Sequence, residues 1–276
     1  MASRLKFLLG AALLVLWPGA QAAPTADLWP HWSIHNPESD QAPNHHSWQQ
    51  LLDKYVAANT DGINRVRYQD FTNADKTLLD DYIAELATVA PTQLSREHQL
   101  PYWINLYNAL TVRIVLQHPN KDSITDMKAK FFSIGPWDER QLTLEGLPVT
   151  LNDIEHRILR PIWQDKRLHY VLNCASIGCP NLSTQAYTKE NTPLQLSEAE
   201  RTFLAHPRAV AFNAQGKLML SSIFDWYLED FGGTETALLS YLAQQHGELS
   251  NQLRNYSSAI RYHYDWSLNR QHRVND

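Results

Sequence analysis

Cysteine is nearly absent from this chain of 276 residues, which holds two, Cys174 and Cys179. That excludes a scaffold of several disulfides, and the chain has neither the Cys-x-x-Cys redox spacing nor a second cysteine pair for a structural zinc site. Long apolar runs are missing too. The longest, residues 7–17, is shorter than the ~20 residues a membrane helix needs, so no membrane span is expected. Clusters of Lys and Arg are also lacking and the formal charge is −5, which argues against a nucleic-acid partner. No GxSxG elbow, phosphate-binding loop or dinucleotide fingerprint occurs, so no cofactor is expected.

What is present begins with a leader pattern. Arg4 and Lys6 precede the apolar run, and Pro18-Gly19 and Ala20-Gln21-Ala22 follow it. This reads as a secretory signal peptide over residues 1–22, cut near Ala22. A periplasmic or secreted location follows as an expectation. Loss of the two basic residues would take the charge from −5 to −7. Residues 23–46 read as a polar, Pro-containing arm, with Trp29 and Trp32 expected to pack back onto the domain more readily than to stack on a ligand.

Residues 47–270 read as one α+β domain, a helical N-terminal half packed on a mostly antiparallel sheet. Trp48, Leu51, Leu52 and Tyr55 mark a first helix, and Leu78, Leu79, Tyr82, Ile83 and Leu86 a second, capped by Thr72 or Asn73. A third, over 96–118, is apolar on every face and is expected to be central. Asn105 and Asn108 sit on it one turn apart. Buried amides must be bonded, so the pair either fixes neighbouring backbone or lines a site. Residues 141–144 and 147–150 suit a hairpin around Glu145-Gly146. Strands are expected over 168–173, 209–213, 217–221 and 260–266. Helices are expected over 223–231 and 234–246, and Ser197 with Glu200 reads as a capping box.

A further helix, 151–163 with Asn152 as its cap, carries the most informative ionisable residue. At 100° per residue Glu155 falls within the stripe of Ile154, Ile158, Leu159 and Ile162. A buried carboxylate needs a cation such as Arg113 or Arg160, or it takes a catalytic or orienting role. His156 lies at the edge of the same face.

The cysteines bracket the turn after Asn173. In an oxidising compartment a Cys174–Cys179 disulfide is the default, worth roughly 2 kcal/mol for so small a loop, with Gly178 free to take positive φ. Alternatively Cys174 is a nucleophile, with amides of Ala175 and Ser176 for an oxyanion. On a straight strand His169 would face away from Cys174, about 17 Å off, which leaves His156 as the expected base. Zinc held by Cys174, Cys179, His169 and His156 is disfavoured by the spacing.

Four ordered runs resemble the domain of unknown function 547 family: Tyr102-Trp-Ile-Asn-Leu-Tyr-Asn-Ala-Leu110, Leu151-Asn-Asp-Ile-Glu-His-Arg-Ile-Leu-Arg160, His169-Tyr-Val-Leu-Asn-Cys-Ala-Ser-Ile-Gly-Cys-Pro180 and Tyr264-Asp-Trp-Ser-Leu-Asn269. The resemblance spans about residues 48–269 and implies no settled activity. It implies that Asn105, Asn108, Glu155, His156, His169, Cys174 and Cys179 belong to a signature. Two functions are therefore expected in competition. One is a binding or envelope-interaction module that takes a small molecule, peptide or envelope component. The other is a thiol-dependent hydrolase or acyl transferase built on Cys174.

Overall fold

In the computed structural model, residues 23–128 and 135–271 are described, so the leader expected over 1–22 lies outside the described residues. Three helices come first, α1 (His46–Tyr55), α2 (Asn73–Thr88) and α3 (Arg96–Gln117). Thr72 caps α2 by accepting the N–H of Asp75. A two-stranded pair, β1 (Val56–Ala57) and β2 (Arg65–Val66), joins α1 to α2. The apolar circumference of α3 buries nearly its whole length, and the larger core forms around it. The arm closes one side of that core. Trp32 meets Trp103 edge to face at 5.3 Å, and Trp29 lies under the Arg157 guanidinium.

The chain is α+β, and among the described residues its strands fall into three small sheets. The expected hairpin forms as β3 (Leu142–Leu144) and β4 (Leu147–Val149), turning through positive φ at Glu145 and Gly146. The last sheet has the order β5 (Val210–Phe212), β6 (Leu218–Ser221), β7 (Arg261–His263), antiparallel and then parallel. It covers a second core together with α5 (Thr192–Leu204), α6 (Ile223–Trp226), α7 (Glu235–Gln245) and α8 (Ser250–Arg254).

Several local expectations are corrected. The 151–163 segment is helical, but residues Asp153–Leu159 take the wider i→i+5 form before the short α4 (Arg160–Trp163). Its cap is the Thr150–Asp153 exchange of side-chain bonds, and Asn152 bonds Asp138 instead. Ser197 lies inside α5, bonded back to Pro193 O, so the capping box does not form. The helix expected over 223–231 breaks at Tyr227.

The largest correction concerns residues 168–173, which do not form a strand. Asp165 accepts the Arg167 N–H and starts a 3-10 turn over Lys166–Tyr170. Beyond it, Asn108 takes the backbone groups that a ladder would need. Its Nδ2 donates to Val171 O at 3.0 Å, and its Oδ1 accepts from Asn173 N at 2.8 Å. Strand parity therefore does not apply to His169 and Cys174.

Asn105 clamps the backbone of Tyr187 in the same two-bonded way, at 2.7 and 3.0 Å. Both amides thus hold loops to α3. Replacing Asn108 by Ala would leave Val171 O and Asn173 N buried and unpaired, at roughly 1–3 kcal/mol each. The expected outcome for Asn108→Ala is a loss of about 2–4 kcal/mol in urea unfolding at unchanged m-value. A change under about 0.5 kcal/mol would contradict the clamp.

Candidate functional site

Asn173 closes the neck of the cysteine turn. Its Oδ1 accepts from Ala175 N at 2.9 Å and its Nδ2 donates to Pro180 O at 2.7 Å. Ala175 sits at φ 59 with its methyl fully buried, a left-handed position that costs an alanine about 1–2 kcal/mol. Gly178 is not at positive φ. It is required by close approach, because a Cβ there would lie 2.8 Å from the backbone nitrogen of Asp265. The 264–269 segment pairs alongside, with Ile177 N on Ser267 O and Gly178 N on Asp265 O, both at 2.8 Å.

The expected disulfide does not form; both cysteines are free. The Cys179 sulfur turns inward and accepts the Cys174 N–H at 2.9 Å. Cys174 Sγ turns the other way, to Tyr264 Oη at 2.9 Å and Ser176 Oγ at 3.1 Å. Burial raises the Cys174 pKa, but hydrogen bonds from Cys179, Ser176 and Tyr264 outweigh it and leave the thiol more acidic than usual. Burial and the neighbouring Cys174 push Cys179 well up. The two thiols are thus unlike: one is partly exposed and acidified, the other buried and inert.

A cavity of about 810 Å³ opens over this turn, and Cys174, Cys179, Glu155, His156 and His169 all line it. Asn105 and Asn108 do not. Glu155 accepts from Tyr107 Oη at 3.1 Å, and Tyr227 also faces it. Burial raises its pKa, but His156, His169, the Tyr227 hydroxyl and Arg160 together hold it below the usual carboxylate range. Neither arginine expected as its direct partner bonds it. Arg113 donates to Gln141 O, and Arg160 forks onto Asp230 at 2.7 and 3.1 Å.

Asp230 organises two histidines through that fork. Its Oδ2 also meets His169 Nε2 at 2.6 Å. Burial raises Asp230, but the bonds from His169 and Arg160 reverse this and hold it far below its ordinary value. An ionised Asp230 only accepts, so His169 carries hydrogen on Nε2 and turns Nδ1 toward Glu155 Oε1, 3.9 Å away. Tyr227 stacks on the His169 ring at 4.0 Å. Arg160 Nη1 lies 3.0 Å from His156 Nδ1. A guanidinium only donates, so His156 accepts at Nδ1 and carries its hydrogen on Nε2. That arrangement makes His156 a hydrogen-bond donor and a poor base. Both amides foreseen for an oxyanion are occupied, Ala175 N by Asn173 and Ser176 N by the Cys174 sulfur.

The residue types that the sequence left unassigned are Asp230, Tyr107, Tyr227, Tyr264 and His263. A dense acid and aromatic run, Phe224-Asp-Trp-Tyr-Leu-Glu-Asp-Phe231, is the local signal for two of them. Among the described residues no group of three His, Cys, Asp or Glu side chains is placed to hold a metal ion, and no helix is long and apolar enough to cross a membrane.

Residues 91–204 match the family model described as Protein of unknown function, DUF547, the family that the motifs of this chain resemble. No curated protein and no solved structure matches the chain.

Burial lowers the His156 pKa, Glu155 opposes this, and Arg160 adds to the lowering. The folded value lies below the unfolded one of about 6.5, so its contribution to stability is present above that pH and is lost as pH falls toward the folded value. In thermal melts, the stability gap between wild type and His156→Asn should therefore be widest near pH 7.5 and shrink toward pH 5. A gap that widens on acidification would contradict the neutral, accepting state of Nδ1.

Proposed function

We propose that the chain is an exported thiol-dependent hydrolase or acyl transferase with Cys174 as its nucleophile. One observation carries the reading. An acidified thiol and an Asp230–His169–Glu155 line, separated in sequence, converge on one cavity of the size that small-molecule sites have. The leader pattern over residues 1–22 supports export.

The chemistry follows from the hydrogen placements. The Cys174 thiol, hydrogen-bonded with Tyr264 and Ser176, passes its proton to the His169–Glu155 pair as its sulfur attacks a carbonyl carbon, and the C=O π pair moves onto oxygen. With the backbone amides occupied, the oxyanion donors are the Nε2–H of His156 and the Tyr264 hydroxyl. Collapse re-forms the C=O, expels an alcohol or amine that takes the proton held by the His169–Glu155 pair, and leaves a thioester on Cys174. Water or an acceptor amine or alcohol then attacks the thioester and gives that pair its proton, which passes to the departing sulfur and restores the thiol.

A non-catalytic binding role is the second reading, favoured by the many aromatic rings that line the cavity. The two readings separate in one set of measurements. Iodoacetamide should alkylate Cys174 in the native protein at least about tenfold faster than Cys179, as the opposite shifts of the two thiols require. In a panel of activated esters and thioesters, turnover should fall by at least about a thousandfold in Cys174→Ser and persist in Cys179→Ser. Native protein in which Cys174 stays unlabelled would remove the nucleophile, and turnover that survives Cys174→Ser would do the same.

A further inference from the structure

Resting on the reading of Cys174 as nucleophile, we infer that the substrate taken by this cavity carries a positively charged amine. Two features of the lining point the same way. The first is charge: the cavity presents the carboxylates of Glu155 and Asp138 and, among the described residues, no Lys or Arg. Arg160, which bonds the lining residue His156, is already matched by Asp230.

The second is the aromatic wall. Trp226 and Trp266 lie nearly parallel at 5.4 Å, Tyr264 packs against them at 4.8 and 4.5 Å, and Trp137 meets Trp266 at 5.9 Å. All four rings line the cavity and are half-buried, so their remaining faces are open to it. Indole and phenol faces attract cations through the ring quadrupole, most strongly where water is excluded.

A neutral ring would stack on the same wall but would not call for the carboxylates. An anionic group would face them without a counter-charge. Tyr264 belongs both to the wall and to the thiol, so a cation bound at the wall lies next to the group that Cys174 attacks.

The test uses three methanethiosulfonates that differ in charge: trimethylammonioethyl, methyl and sulfonatoethyl. Each transfers its sulfenyl group to the thiolate and releases methanesulfinate, so the rates at Cys174, normalised to free cysteine, read the charge preference of the cavity. The expected result is a cationic rate at least about tenfold above the anionic one, shrinking in high salt and falling to within about threefold in Trp226→Leu. Equal normalised rates, or a faster anionic reagent, would overturn the inference while leaving Cys174 a reactive thiol. If all three reagents leave Cys174 untouched, the nucleophile reading fails. The inference then stands or falls on tetramethylammonium. A saturable change in tryptophan fluorescence that is lost in Trp226→Leu upholds it, and no saturable change overturns it.

Discussion

The forked ion pair between Arg160 and Asp230 is the interaction on which the rest of the site depends. Arg160 begins the short helix that follows the i→i+5 segment against the larger core, and Asp230 lies beside the second core, 70 residues later. Each partner of the pair sets the hydrogen on one histidine. Asp230 fixes Nε2–H on His169, and Arg160 fixes the acceptor face of His156. The same guanidinium holds Pro24 O and lies over the Tyr227 ring, so the arm and one wall of the cavity are also anchored to it. With the Arg160 side chain only 4% exposed, losing its partner would strand a charge, a change that costs buried pairs about 3–5 kcal/mol.

The cysteine turn is held by amides where a disulfide was expected. Asn108 grips the chain entering it, Asn173 closes its neck, and the 264–269 segment seals its outer side. This leaves both sulfurs as thiols and gives them opposite characters, because one turns inward to the backbone while the other meets hydroxyl donors. A bridge would have fixed the turn at the expense of both thiols. The amide network fixes it without consuming either cysteine.

Much of the architecture was legible in the residues. The all-round apolar pattern of α3 marks it as central, and the Thr72 cap and the Glu145-Gly146 turn follow from local chemistry. The inward placement of Glu155 was legible too, from the stripe of Ile and Leu in which it sits. The segment 168–173 was not. Its alternation favours a strand, yet Asp165 and Asn108 claim its backbone from before it and from across the fold. The helix register at 155–156 was readable only approximately, because the wider turn there departs from 100° per residue.

By itself, then, the sequence determined which elements form, which faces they bury and which polar residues have to find partners inside, because these depend on neighbours within a few positions. Only the tertiary structure decided which partners they find. Asp230 reaches His169 across 61 residues and Tyr264 reaches Cys174 across 90. No local periodicity encodes contacts of that span. They arise where two cores meet and where buried charges and thiols take the donors that packing brings to them.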